Sequence, residues 1–384
     1  MTRPDGRRGS AVAWVELRRV PKPTRARAKW LPCRRPTTTR PRVTGKERIL
    51  RALDRGVPDA VPTFEWFIDA AVGRALAGSA DPVDIVQRLD LDAINVRPDY
   101  QKTFLSERVF VDEWRIRRQL TEDCLPALVA SPIADVRRHG DYSFPDPEAP
   151  GRFASLERAL QRLGDEKAVV LNLRDGFSDM RDLLGYEGAL TALLCQPQAF
   201  GALLDRSVQY NLRLASIARR RYGVQIVATT DDVADAERLL MRPETYFELV
   251  APRFRDVISG YKEMGYRCIK HCDGNIDAVA DFWISCGIDC LDPIDPDAGY
   301  TMETAKARYG RRVCLKGNVD CKGALCTGTP EQIEQEVRRC LRAGAPGGGF
   351  ILSSSNTIHR GVRPENYRAM LDALRRYGSY PNPG

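Results

Sequence analysis

The chain has 384 residues, 43% of them hydrophobic and 29% charged, which suits one large α/β domain or two average ones and excludes disorder throughout. Its formal charge of +8 is uneven: residues 1–43 hold 13 basic against 2 acidic side chains, or +11, and the remaining 341 hold 46 against 49, or −3. The basic excess therefore says nothing about what the globular part binds, and no run approaches the ~18–20 apolar residues of a membrane span.

Segment 1–43 contains six prolines and repeated arginine pairs without helical or strand periodicity. It is expected to be a disordered basic tail, whether inert, targeting or polyanion-binding, and a nucleic-acid reading would rest on it alone. The eleven cysteines include no Cys-x-x-Cys pair, and no secretory signal precedes them. Reduced thiols in a soluble, cytoplasmic protein are expected.

The run after Val43 (Thr44, Gly45, Lys46, Glu47) has the form of a capped first helix, so a single domain is expected over residues 44–384. Short apolar runs then alternate with amphipathic stretches. Strands are predicted at Val61–Phe67, Asp92–Arg97, Ala168–Leu173, Gln225–Thr230, Arg267–His271, Ile288–Pro293, Val313–Gly317 and Phe350–Ser353. The helices between them include Pro197–Tyr222, Pro243–Met264, Ile276–Ser285, Met302–Tyr309, Pro330–Ala343 and Pro364–Tyr377. This alternation predicts a parallel sheet closed into a (β/α)8 TIM barrel. The long connection over residues 99–166 is expected to carry a hairpin near Trp114–Leu120, lying over the barrel mouth. Gly347, Gly348 and Gly349 precede the last strand and read as a tight turn rather than a phosphate loop.

Barrel enzymes place catalytic groups at the carboxyl ends of the strands. Those positions hold Glu65, Arg97 and Asp99, Arg174 and Asp175, Asp231 and Asp232, His271 with Asp273 and Asn275, Asp292 and Asp295, Asn318 and Asp320, then Ser354, Ser355 and Asn356. Side chains alternate along a strand, so His271 and Asp273 should face one way and Cys272 the other. Such a pair could bind a divalent metal or work as acid and base. Asp232, closing the neighbouring strand, would join them, and the like charges would raise one carboxyl pKa unless a cation intervenes. The pair Asp231 and Asp232 could equally cap the following helix. Glu65, Arg97, Arg174, Asn275, Asn318 and Asn356 are candidates for positioning a substrate.

The series Lys270 to Asn275, Leu315 to Asp320, Gly328 to Pro330, Gly344 to Leu352, and Ser355 through Asn366 resembles the uroporphyrinogen decarboxylase superfamily over residues 44–380. The resemblance implies a (β/α)8 barrel and one of two chemistries. One branch decarboxylates a porphyrinogen without a cofactor, using arginines after the first strand and an Asp near the second. The other transfers methyl groups to or from corrinoid proteins or thiols, with zinc held by a His-x-Cys pair and a distant Cys. Here Phe64-Glu65-Trp66-Phe67 offers no arginine, Asp273 stands where the first zinc cysteine would, and Ser353 to Ser355 lie near the second. The leading expectation is methyl transfer or demethylation of a small substrate with a corrinoid partner, on zinc or another divalent metal held by His271, Asp273 and Asp232. The alternative is cofactor-free decarboxylation of uroporphyrinogen or a related carboxylate. A third reading is a non-enzymatic corrinoid- or polyanion-binding protein using the tail.

Overall fold

The computed structural model describes residues 43–122 and 125–381; apart from Val43, the segment expected to be a disordered tail lies outside them. Thr44 caps the first helix, Gly45–Leu53, through its hydroxyl, which accepts from Glu47 N at 3.1 Å, while the Glu47 carboxylate accepts from Thr44 N at 2.9 Å. Two otherwise unsatisfied N–H groups are thereby paired, which starts the helix at that residue.

Seven strands form one parallel sheet: β1 (Ala93–Val96), β6 (Ala168–Leu173), β7 (Ile226–Thr230), β8 (Arg267–His271), β9 (Cys290–Ile294), β10 (Cys314–Val319) and β11 (Phe350–Ser354), side by side in that order. Four shorter strands, β2 (Lys102–Phe104), β3 (Val109–Asp112), β4 (Arg117–Gln119) and β5 (Ala127–Ala130), make a separate antiparallel sheet. The large sheet curls around an inner apolar cluster. Ala93, Ala168, Val170, Ile226, Ala228, Ile269, Cys290, Cys314 and Ile351 contribute to it from the strands, and Ile49, Ala52 and Leu53 from the first helix. The opposite faces of the strands pack under the surrounding helices, a second and larger apolar layer. Burial on both faces is why the strands read as nearly continuous apolar runs.

The predicted first strand is the exception. Segment 61–67 has a single parallel bridge to β11, between Thr63 and Leu352, so the regular sheet has seven strands rather than eight. The chemistry of the segment explains this. Pro62 lacks an N–H, and two carboxylates take hydrogen bonds that a ladder would otherwise carry: Thr63 N donates to Asp92 Oδ2 at 2.9 Å, and Ser354 N to Glu65 Oε1 at 3.0 Å. Backbone bonds still reach both sides, from Leu352 N to Pro62 O and from Asp92 N to Thr63 O, each 2.9 Å.

The helices Pro197–Tyr222, Met302–Tyr309 and Pro364–Tyr377 occur as expected. Pro243–Met264 is interrupted by a π-helical turn at Tyr246–Val250, and the helix expected at Ile276–Ser285 is shortened to Ala280–Ser285. The insertion after β1 is the four-stranded sheet rather than one hairpin. It is anchored by Trp114, whose ring meets those of Tyr210 and Phe144 edge-on at 5.0 and 5.4 Å. Gly347, Gly348 and Gly349 all have positive φ, the turn that leads into β11. Among the described residues no helix is long and apolar enough to cross a membrane.

Candidate functional site

The parallel register sets Thr230 beside His271, and His271 beside Asp292, at the carboxyl ends of β7, β8 and β9. Their inward side chains, with that of Lys316 on β10, form a polar layer above the apolar inner cluster. Asp292 is its centre. It lies 2.7 Å from His271 Nδ1 and accepts from Lys316 Nζ at 2.7 Å and from Trp66 Nε1. The Asp292 and Lys316 side chains are both fully buried. Burial alone would raise the Asp292 pKa, but Lys316 and His271 outweigh it and hold the carboxylate below its usual range. An ionised Asp292 only accepts, so Nδ1 of His271 carries a proton and Nε2 is turned outward. Trp66 fixes the ring edge-on, 4.8 Å between centroids.

Cys272 points away into the helix-covered layer, where its sulfur accepts from Val233 N. Asp273 returns to the face of His271, and its Oδ1 lies 3.5 Å from Nε2. The turn beyond requires glycine: Gly274 has φ +88°, and a Cβ there would sit 2.3 Å from the Asp235 carbonyl oxygen. Asn356 donates through Nδ2 to Asp273 Oδ2, while Oδ1 of Asp273 is buried without a hydrogen bond. Asp232 accepts from Asp273 N at 3.2 Å and is 3.6 Å from the Arg181 guanidinium. Burial, then the negative charge of Asp232, pushes the Asp273 pKa up to about 6. Burial disfavours the charged form of His271, yet Asp292, Asp273 and Asp232 together raise its pKa.

One donor atom from each of Asp232, His271 and Asp273 lies within 4.8 Å of the others. The set is one imidazole nitrogen and two carboxylate oxygens, suited to zinc, manganese, iron or magnesium rather than to a soft thiolate-seeking ion. Asp292 behind His271 holds Nδ1 and so orients the ring, as carboxylates commonly do for metal-ligating histidines. The donor set and the orphaned Asp273 Oδ1 therefore fit a divalent cation.

Glu65 sits next to this layer. Its carboxylate accepts from Ser354 N at 3.0 Å and Ser354 Oγ at 2.6 Å, and burial, opposed by Lys316, pushes its pKa up to about 7. A folded pKa above the unfolded one means stability present below about pH 4.5 and lost as pH rises through 7. Glu65→Gln is therefore expected to remove a fall of ~2.5 kcal/mol in unfolding free energy between pH 5 and pH 8. Urea unfolding at the two pH values measures it, and an unchanged slope would refute a titrating Glu65.

Beneath the inserted sheet a cavity of about 470 Å³ is lined by Arg97, Arg118, Asn172, Arg174, Asp179 and Asp182, among others. Asn172 connects it to the polar layer by accepting from Thr230 Oγ1 at 2.7 Å. Arg174 is engaged by Asp179 at 3.3 Å and Asp182 at 3.0 Å, so it holds the wall together. Arg97 faces the same cavity with its guanidinium 4.6 Å from the centre of the Phe67 ring.

Of the expected site residues, the structure thus brings together His271, Asp273, Asp232 and Asn356, with Glu65 adjacent and Arg97 and Arg174 in the neighbouring cavity. It does not bring Asn275 or Asn318 there. Asn275 caps a turn by accepting from Asp277 N at 3.1 Å. The Asn318 amide is fully engaged by Ile294 O, Tyr300 O and Arg339. Asp231 also turns away and caps the helix Phe177–Leu184 by accepting from Phe177 N at 2.7 Å and Ser178 N at 2.9 Å.

Sequence reasoning gathered Asp292 without giving it a role, and missed Lys316 and Trp66. A lysine within an apolar run reads as a solvated strand position. The available signal was a shared spacing: Ile269 and His271, Cys290 and Asp292, and Cys314 and Lys316 each place a polar residue two after an inward apolar one.

Residues 119–377 match the family model for uroporphyrinogen decarboxylase (URO-D). A uroporphyrinogen decarboxylase of Psychromonas ingrahamii is 29% identical over 189 residues, 47% of this chain and 49% of that protein. A methylated-thiol–coenzyme M methyltransferase of Methanosarcina mazei is 23% identical over 245 residues, 61% of this chain and 62% of that protein. The chain thus spans about half to three fifths of the length of these two relatives. A solved methyltransferase from Methanosarcina mazei shares the fold, with a TM-score of 0.68 at 18% identity over 87% of this chain and 99% of that one.

Proposed function

The chain belongs to the uroporphyrinogen decarboxylase (URO-D) family, and from that membership and the site we propose a methyl-transfer or demethylation enzyme acting on a small substrate with a corrinoid partner. We read the segment 61–67 as the irregular eighth stave of a (β/α)8 barrel, and the basic tail as separate from a domain over residues 44–384. The observation that carries the functional proposal is the cluster of His271 Nε2, Asp273 and Asp232, backed by Asp292. A divalent metal held there would act as a Lewis acid on the heteroatom that gives up the methyl group. The chain's own residues supply the rest. Asp292 keeps Nε2 of His271 directed outward, Asn356 holds the Asp273 carboxylate in place, and Glu65 offers a proton-holding group that titrates near neutrality. The inserted sheet covers the neighbouring cavity, which favours a small occupant.

Decarboxylation of an octa-anionic porphyrinogen is less well supported. Asp99, at the strand end where that chemistry would want its carboxylate, accepts from Ser155 N at 2.8 Å and Ser155 Oγ at 2.6 Å and so caps a helix. Cofactor-free decarboxylation of a smaller carboxylate keeps one observation in its favour, the two carboxyl groups of raised pKa at the site, Glu65 and Asp273, with the Arg97 cation in the neighbouring cavity. Assays with cob(I)alamin as methyl acceptor and methylated thiols, ethers or amines as donors test the proposal. Wild type is expected to form methylcobalamin, and His271→Ala to lose the activity. Undiminished transfer by His271→Ala would sink the assignment, and turnover of a carboxylate in chelator-treated protein would favour the second reading.

A further inference from the structure

Arg97 is the one guanidinium of the cavity wall, among the described residues, that has neither an ion pair nor a hydrogen bond; the exposed Lys102 ammonium is also unpaired, 5.0 Å from the centre of the Phe110 ring. Arg118 is held by Asp112 at 3.1 Å and Asp182 at 2.9 Å, and Arg174 by Asp179 and Asp182. Asp99 is engaged by Ser155. Of the wall's cations only Arg97 and Lys102 are thus left without a partner, and Arg97 is the less exposed of the two. Arg97 is stacked on Phe67 and half-buried, with Arg174 and Arg118 close enough to repel it and Asp182 and Asp232 close enough to attract it without reaching pairing distance. Leaving a half-buried guanidinium without a partner costs free energy that a purely structural position would avoid. Tyr100, Phe110 and Trp114 contribute flat apolar surface to the same cavity. Asn172 and Asp232 join it to the His271 cluster.

We propose that Arg97 is the specificity residue for a small carboxylate substrate with a flat apolar body, whose charged end pairs with the guanidinium while its other end reaches the His271 cluster. The inference rests on the reading of that cluster as the reacting site for a small substrate. A guanidinium takes a carboxylate through two parallel hydrogen bonds, and stacking on Phe67 leaves its edge available for them.

Calorimetric titration with benzoate and with benzamide, its neutral isostere, tests this on the full chain without any turnover. Wild type is expected to bind benzoate at least tenfold more tightly than benzamide, a difference set by one charge-assisted pair. Arg97→Gln should lose that preference by weakening benzoate alone, and Arg97→Lys should restore part of it. Arg97→Gln should melt at or above the wild-type temperature, because an unpaired half-buried cation is removed. Benzamide bound as tightly as benzoate, benzoate affinity unchanged in Arg97→Gln, or failure of wild type to bind benzoate would each overturn the proposal. Melting of Arg97→Gln well below wild type would also overturn it, by making Arg97 structural. Benzoate binding through Arg97 in a protein without methyl transfer would refute the functional reading and leave this one standing. Methyl transfer from a neutral donor, undiminished in Arg97→Gln, would do the reverse.

Discussion

Replacing Lys316 with methionine is expected to lower the unfolding free energy by ~3–5 kcal/mol, the range for removing one partner of a buried ion pair. Lys316 and Asp292 have fully buried side chains 2.7 Å apart, so Lys316→Met leaves a desolvated carboxylate with only His271 and Trp66 as donors. The remaining negative charge would also be felt at Glu65, whose pKa Lys316 holds down. Urea unfolding measures the loss, and a change under 1 kcal/mol would show that water or a shifted side chain replaces the ammonium. The double variant Lys316→Met with Asp292→Leu separates stability from function. Removing both charges should recover much of the stability, because paired buried charges gain little over well-packed apolar groups. It should not recover activity, because His271 then has no carboxylate to orient its ring.

Protein purified without chelator is expected to carry about one equivalent of divalent metal, and Asp273→Ala to carry almost none. Removing Asp273 takes away one of three donors and leaves Asp232 and His271, too few to compete with bulk water for the ion. Adding metal at ~100 times its dissociation constant should stabilise wild type by about 2.7 kcal/mol and leave Asp273→Ala unchanged. Metal uptake should weaken as pH falls below about 6, where Asp273 takes up a proton and the raised pKa of His271 keeps that ring protonated as well. Elemental analysis and thermal melts across pH 5 to 8 check both statements. A folded wild type that takes up neither zinc nor manganese would remove the metal from the mechanism and shift weight to acid and base catalysis by the same residues.

The amino-acid sequence determined what depends on near neighbours. Alternating short apolar runs and amphipathic stretches place seven parallel strands close to their expected positions, because both faces of each strand are buried. The same local rule put His271 and Asp273 on one face and Cys272 on the other, since side chains alternate along extended chain. Capping of the first helix by Thr44 and the triple-glycine turn were legible for the same reason. Only the tertiary structure decided which strand-end residues meet. Register across β7, β8 and β9 sets Thr230, His271 and Asp292 side by side and brings in Lys316 and Trp66 from far along the chain. Asn275 and Asn318 looked equally suitable at their strand ends, yet turn geometry and neighbouring carbonyls engaged them elsewhere. Segment 61–67 left the regular ladder because two carboxylates took hydrogen bonds of the ladder, Asp92 from Thr63 N of the segment and the segment's own Glu65 from Ser354 N of β11. A side chain's pairing and its pKa depend on what surrounds it in three dimensions, and periodicity along the chain specifies only the direction in which it points.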